Sequence, residues 1–269
     1  MKQNSILGEF LRYAFMNIMG MIGLSCYILA DTFFVSKGLG STGLAALNIA
    51  IPVYSFIHGS GLMLGIGGAT RFSILKSQGE RSGINRIFTN TVYLGVFIAL
   101  LVITLGLLQS GNIAKILGAQ GSVHTMTTTY LKVLMLFSPA FLLNDILICF
   151  IRNDGNPGLS MTAMLMGSFA NILLDYIFIF PMNMGIFGAV FATGLSPVIS
   201  LCILSIHFLK KKNGFFIEKV KLQVSSIKSI IGIGLPSLIS EVASGVVIIV
   251  FNILTLKIEG VIGVAAYGV

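Results

Sequence analysis

Four acidic side chains lie inside long apolar stretches of this 269-residue sequence, where a charge has no water around it. They are Asp31, Asp145, Asp175 and Glu241, and the whole chain has only nine acidic residues. A charged side chain at the middle of a bilayer costs about 2.5–3.5 kcal/mol on insertion scales. Acidic groups that are kept at this cost indicate a site where ions or charged ligands bind.

Asn171 and Asp175 are four residues apart, so on a helix they share one face. A carboxylate beside an amide can share a proton or hold a small cation, and sodium could bind at Asp31, Asn171 and Asp175. The alternative is a hydrogen bond between helices. Burial disfavours the charged carboxylate, whereas a nearby organic cation favours it. A proton and a cation would then compete for one site, which is the minimum that exchange requires.

Glu241 lies between Pro236 and Gly245, where a loosened helix could open room for a ligand. Asp31 lies toward the end of its apolar stretch. Asp145 is near the end of another stretch, which favours a structural role. The residues predicted to couple ions or bind substrate are Asp31, Asn171, Asp175 and Glu241.

The elements that hold these residues are predicted to be membrane helices. Hydrophobic residues make up 55% of the chain and charged residues 10%, whereas a soluble domain has about a quarter charged residues. The apolar stretches approach or exceed the ~20 residues that cross a bilayer core, and they lack the alternation of barrel strands. We therefore expect an all-α polytopic membrane protein.

Seven spans and the start of an eighth, near residue 261, are predicted. The seven cover 10–36, 44–75, 87–109, 124–151, 160–181, 185–209 and 227–256. They divide into a six-helix N-terminal lobe (1–209), a basic link (210–226) and the start of a second lobe (227–269). The glycine-rich segment 59–68 contains a G-x-x-x-G pattern, which predicts close packing between helices.

The net charge of +8 comes from Lys and Arg residues that fall between or at the ends of the spans. A basic soluble protein could bind nucleic acid, but here the charges set topology and no nucleic-acid partner is expected. Thirteen of the 17 basic residues fall on one predicted side. The positive-inside rule places that side, with the N-terminus and the link, in the cytoplasm, so we expect a multi-pass protein of the cytoplasmic membrane.

A short pattern, G-x-x-G-x-A-A, occurs at 40–46 and again at 260–266. Asp31 and Asn252 precede the two copies at nearly matching distances. The pattern predicts that the seventh span begins a second copy of a six-span unit, as in many transporters with a site between their halves. The natural protein is then expected to be longer by about four to five spans.

The remaining candidate ligands are scattered. His58, His124 and His207 have no metal-ligand spacing, and the three cysteines form no C-x-x-C motif. We predict structural roles for them, with no metal site and no cofactor other than a proton or sodium as the coupling ion.

Five segments together resemble the multidrug and toxic compound extrusion (MATE) family. They are DTFFVSKGLG (31–40), LAALNIAIP (44–52), RNDGNP (152–157), NILLDYIFI (171–179) and MGIFGAVFAT (184–193). The resemblance extends over essentially the whole chain.

This resemblance implies twelve helices in two lobes related by a pseudo-twofold axis. It also implies export of cationic, lipophilic compounds in exchange for protons or sodium. It matches Asp31 to the first-span aspartate of the family, and Asn171 with Asp175 to the fifth-span pair. Glu241 resembles a seventh-span glutamate of some members, although its spacing from Pro236 is about one turn shorter. We expect a monomer in the bilayer that binds small cationic substrates.

Two other functions are considered. A lipid-linked saccharide flippase of the same superfamily would need cationic residues in its cavity to hold pyrophosphate, and the spans here contain acids instead. A seven-span receptor or sensor disagrees with the cytoplasmic N-terminus and with an eighth span. A membrane enzyme would need a catalytic motif such as H-E-x-x-H, which the sequence lacks, so an enzyme is not expected.

Overall fold

The computed structural model describes residues 6–211 and 213–267, and every regular element in these residues is an α-helix. The predicted all-α class is therefore confirmed. The helices are α1 (Ile6–Ser77), α2 (Arg81–Ile116), α3 (Gly121–Leu136), α4 (Ser138–Asn153), α5 (Pro157–Ile179), α6 (Gly185–Leu204), α7 (Ile206–Leu209) and α8 (Val224–Tyr267).

The longest helix, α1, consists of two segments that meet at Gly40. Its 72 residues would extend roughly 108 Å at 1.5 Å per residue, far beyond a bilayer core of ~30 Å. At Gly40 the backbone adopts φ 66° and ψ −163°, which glycine reaches at low cost because it has no Cβ. We call residues 6–39 α1a and residues 41–77 α1b. The predicted link at 37–43 is thus a single-residue break, since one glycine redirects the chain.

Five helices in the described ranges are long and apolar enough to cross a membrane, and a sixth crossing follows if α3 and α4 form one span. These two helices are bent by 49° at Phe137, and Pro139 lies in the first turn of α4, where its missing N–H costs nothing. The division of α1 at Gly40 adds one more segment of spanning length. The number of membrane crossings stays a prediction.

The last helix, α8, differs from the prediction. The sequence analysis placed a span at 227–256, then a link, then a new span from about 261, but the helix runs unbroken from Val224 to Tyr267. Gly260 lies in this continuous part, and a glycine permits a break without imposing one. The separate eighth helix is therefore wrong for the described residues, and the division into two lobes stays a prediction.

Helices α1 and α8 meet backbone to backbone. A Cβ on Gly67 would overlap the carbonyl oxygen of Ile230, and a Cβ on Gly234 would overlap that of Met63. Any side chain at either glycine would push the helices apart. This contact fixes α8, and with it Glu241, against α1b.

Helices α1 and α4 are also held together through glycines. Gly61 lies against the carboxyl group of Asp145, and Gly65 lies against the Asp145 backbone. The close packing predicted from the glycine-rich segment 59–68 is thereby confirmed. It brings Asp145 into the middle of the helix assembly.

The link between α7 and α8 is fastened to the helix assembly by a buried phenylalanine. Phe215 is fully buried among five other rings, those of Phe72, Phe88, Phe150, Phe208 and His207. The backbone N–H of Phe216 donates to Asn85 Oδ1 (3.1 Å), and that of Glu218 donates to Thr89 Oγ1 (3.0 Å). We call this link, together with the side chains that contact it, the link end.

The buried side chain of Asp154, in the turn between α4 and α5, connects several parts of the link end. Its side chain is only 2% exposed. Its Oδ1 accepts from Lys76 Nζ (2.6 Å), and its Oδ2 accepts from the backbone N–H of Gly214 (2.6 Å) and contacts His207 Nε2 (3.0 Å). A Cβ on Gly214 would crowd this carboxylate, so a glycine is required for the close approach.

Candidate functional site

Asn171 and Asp175 lie on one face of α5, as predicted, and both are fully buried. With its amide oriented to satisfy both neighbours, Asn171 donates to Asp175 Oδ2 (3.0 Å) and accepts from the backbone N–H of Thr193 (3.3 Å). Because Thr193 belongs to α6, this amide ties the α5 carboxylate to the neighbouring helix. The Asp175 side chain is therefore held in a fixed position.

Asp31 reaches the same place from α1a and is 6% exposed. It lies close enough for its charge to act on Asp175, and Tyr130 of α3 is near both carboxylates. We call Asp31, Asn171, Asp175 and Tyr130 the paired-aspartate cluster. Two neighbouring carboxylates repel each other when both are ionised, so a proton or a cation that binds to one of them is stabilising.

Each carboxylate of the cluster has one buried oxygen that is not satisfied by a hydrogen bond from the described residues. Oδ1 of Asp31 and Oδ1 of Asp175 are buried and have no hydrogen-bond partner among the residues that the structure describes. Neither aspartate pairs with a Lys, Arg or His there. Buried polar atoms are nearly always partnered, so each of these oxygens is free to accept a proton or to bind a cation.

Two cavities lie between the helices. The first, which we call the Asp31 cavity, has a volume of about 250 Å³. The second, the Asp145 cavity, has a volume of about 300 Å³. Their walls share five residues, namely Tyr27, Tyr54, His58, Thr193 and Glu241. The two cavities are therefore neighbours along the interior of the helix assembly.

An imidazole–carboxylate pair lies where the cavities adjoin. His58 Nδ1 of α1b is 3.0 Å from Asp145 Oδ2 of α4. The Tyr54 ring stacks on the His58 ring with centroids 5.8 Å apart, and its hydroxyl is 3.0 Å from that of Tyr27. The tyrosines thus hold the imidazole against Asp145.

Glu241 is the predicted site residue that the structure does not bring into the paired-aspartate cluster. It lies on α8, lines both cavities and packs against Gly59 of α1b. It shares the walls of both cavities with His58. The predicted site residues are therefore spread over the paired-aspartate cluster and the walls that the two cavities share, where Glu241 and His58 lie.

The structure places His58, for which the sequence predicted a structural role, in the walls of both cavities. A signal for this placement was present, because an ionisable residue within a membrane span indicates a functional site whether it is acidic or basic. Asp145, also predicted to be structural, lines the Asp145 cavity, and the structural role of both residues stays a prediction. His124 and His207 do make structural contacts, to the Gly111 carbonyl oxygen and to Asp154.

Comparison with known proteins identifies the family of the chain. The family model MatE matches residues 17–177, which is more than half of the chain. The multidrug export protein MepA of Staphylococcus aureus (strain MRSA252) is 31% identical over 90% of this chain and 54% of its own length. MepA of Staphylococcus saprophyticus is 27% identical over 100% of this chain and 60% of its own. The chain thus spans about half the length of the curated relatives it matches.

The fold agrees as well. A solved structure of the MATE multidrug transporter DinF-BH superposes with a TM-score of 0.91 at 26% identity, over 100% of this chain and 60% of that one. The family model, the curated relatives and the fold therefore all indicate one family of membrane transporters. The chain belongs to the MatE family, the multidrug and toxic compound extrusion transporters.

Proposed function

We propose that these residues belong to a secondary active antiporter that exports cationic, lipophilic compounds in exchange for protons or sodium. The observation that carries this proposal is the paired-aspartate cluster. Asp31 and Asp175 approach each other inside membrane helices, each with a buried oxygen that has no partner among the described residues. The transporter is proposed to act as a monomer in the cytoplasmic membrane, with its Lys-rich side in the cytoplasm.

The exchange follows from charge. Two neighbouring carboxylates in an apolar surrounding are costly when both are ionised and unpaired. A proton or a sodium ion relieves the repulsion, and so does the positive charge of a substrate in the Asp31 cavity, which Asp31 lines. Ion and substrate therefore bind as alternatives, which couples the exit of one to the entry of the other.

The cavities suit an organic cation. Asp31, Asp145 and Glu241 supply three carboxylates to their walls, whereas Arg152 is the one Lys or Arg in the walls of these two cavities. Aromatic walls from Tyr27, Tyr54 and Phe141 add apolar area and ring faces that attract cations. The negative pyrophosphate of a lipid-linked saccharide would be repelled by these carboxylates.

The proposal is tested by ethidium transport into proteoliposomes, driven first by a proton gradient and then by a sodium gradient. Asp31→Asn and Asp175→Asn are each expected to lower transport at least about tenfold, since a loss of 1.4 kcal/mol in ion binding is already tenfold. Both variants should insert into the membrane normally. The gradient that drives wild-type transport identifies the coupling ion.

Glu80→Gln is the control, because Glu80 is an exposed acid in the turn between α1 and α2. It should transport ethidium as the unchanged protein does. Undiminished transport by both aspartate variants would remove the coupling role from the cluster and refute the proposal.

A further inference from the structure

We propose that His58 and Asp145 form a second cation-exchange site, in which an organic cation replaces the protonated imidazole beside Asp145 and a proton leaves His58. The inference rests on the proposed export of cations and extends it to a place outside the paired-aspartate cluster. It is carried by the pair itself, by the cavity around it and by the charge balance of that cavity.

The pair is built so that one partner can be exchanged. The Asp145 side chain is 9% exposed, and the salt bridge that the described residues give it is the one to His58 (3.0 Å). The His58 side chain is 19% exposed, so it is more accessible than the carboxylate it pairs with. A carboxylate at this depth needs a positive partner, and a cation in the cavity offers the same charge as the imidazolium.

The cavity has the size and chemistry of a ligand site. Its volume of about 300 Å³ matches the lower end of small-molecule pockets, at roughly 300–1,000 Å³. Phe141, Tyr54 and Met164 supply aromatic and polarisable walls. Ser200 also lines it, and its hydroxyl is buried without a hydrogen-bond partner in the described part of the chain. A ligand could satisfy this hydroxyl.

With both acids ionised, the charges around the cavity balance when His58 is protonated. Four ionisable side chains of opposite sign line it, two acidic and two basic: Asp145, Glu241, His58 and Arg152. The Arg152 guanidinium is engaged by Asn17 Oδ1 (2.6 Å), so it stays at the cavity wall. The other titratable groups facing the pair are Tyr27, Tyr54 and Cys149.

The exchange therefore conserves charge. Before it, the N–H of the His58 imidazolium bonds to the Asp145 carboxylate. After it, His58 is neutral, Asp145 faces the organic cation, and the proton has passed to water. One positive charge enters as one leaves, so the cavity remains neutral at every stage.

The test uses purified protein in lipid nanodiscs, with ethidium as the cation, in an Asp31→Asn/Asp175→Asn background that silences the paired-aspartate cluster. Ethidium binding is read from fluorescence, and proton release from a pH indicator in weakly buffered solution. This background should bind ethidium and release about one proton per cation, with affinity rising by up to about tenfold per pH unit while His58 titrates.

Adding His58→Gln should abolish the proton release and flatten the pH dependence while ethidium still binds. Adding Asp145→Asn should weaken ethidium binding at least about tenfold, because the anionic partner is gone. His124→Gln is the matched control, since His124 bonds to the Gly111 carbonyl oxygen on other helices, and it should leave release unchanged.

Three outcomes would overturn the proposal: no ethidium binding in the background, binding without proton release, or release that survives His58→Gln. Failure of the proposed function would look different. In that case the unchanged protein would bind no ethidium, or the Asp31→Asn/Asp175→Asn protein would still transport it in proteoliposomes.

Discussion

The carboxylates of Asp154 and Asp175 are both buried, but their surroundings differ in kind. Every oxygen of Asp154 has a partner: Lys76 on one, His207 and the backbone of Gly214 on the other. Asp175 has one oxygen bonded to Asn171 and one with no partner in the described ranges. Both oxygens of Asp154 therefore have hydrogen-bond partners without a ligand, whereas one oxygen of Asp175 does not.

The origin of the partners explains the difference. Those of Asp154 come from α1b, α7 and the link, so its carboxylate joins parts of the chain that are distant in sequence. The partner of Asp175 is a neighbour on its own helix. Changing the protonation of Asp175 therefore disturbs few contacts. Burial alone does not distinguish the two acids, whereas an oxygen without a hydrogen-bond partner does.

The largest effect on stability is expected at the link end, from Phe215→Ala. Removing a fully buried phenylalanine side chain should cost about 3–5 kcal/mol of unfolding free energy, because the lost ring leaves a cavity among the five rings that surround it. The measurement is the thermal midpoint in detergent. Phe216→Ala is the matched control, since Phe216 is 55% exposed and should shift the midpoint little. Equal shifts would mean that the link is not anchored by Phe215.

A smaller loss is expected from Asp154→Asn, about 1–3 kcal/mol. The side-chain nitrogen of the new asparagine would face a hydrogen-bond donor in either orientation, Lys76 Nζ in one and the backbone N–H of Gly214 in the other. Ethidium affinity of the folded variant should be unchanged. Lys76→Met should cost less than about 1 kcal/mol, because the lysine side chain is 46% exposed and its ion pair is screened by water. A variant as stable as the unchanged protein would show that Asp154 is not a structural anchor.

The smallest effect on stability is expected from Asp175→Asn, under about 1 kcal/mol, although this change should abolish coupling. An asparagine can still bond to Asn171, and Oδ1 has no partner to lose among the described residues. Thermal midpoints of Asp175→Asn and Asp154→Asn, measured side by side, check the contrast. If both thermal midpoints fell by the same amount, the contrast between a fully hydrogen-bonded carboxylate and one with a partnerless oxygen would be contradicted.

Much of this could be predicted from the sequence. Apolar stretches and their proline and glycine residues predicted the helices, since span length is set by the bilayer. The four-residue spacing of Asn171 and Asp175 predicted their shared face. Asp31 joined them through the resemblance to known segments, because spacing along the chain says nothing about which helices are neighbours.

The rest depends on tertiary packing. That Glu241 shares cavity walls with His58 follows from where α8 crosses α1b, which no local pattern specifies. The unbroken course of α8 was missed because glycine allows both a break and a helix. Phe215 looked like an ordinary apolar residue in a basic link, and only its burial shows that it anchors that link.

The contact of Gly67 and Gly234 has a mechanical consequence. With main chain against main chain, rotamer changes cannot absorb movement at this contact, so any displacement of α8 on α1b must move its backbone. Glu241 lies about two turns beyond Gly234, roughly 10 Å along the helix. A displacement of α8 at the glycine contact would therefore change the distance between Glu241 and His58, and with it the charge that His58 meets.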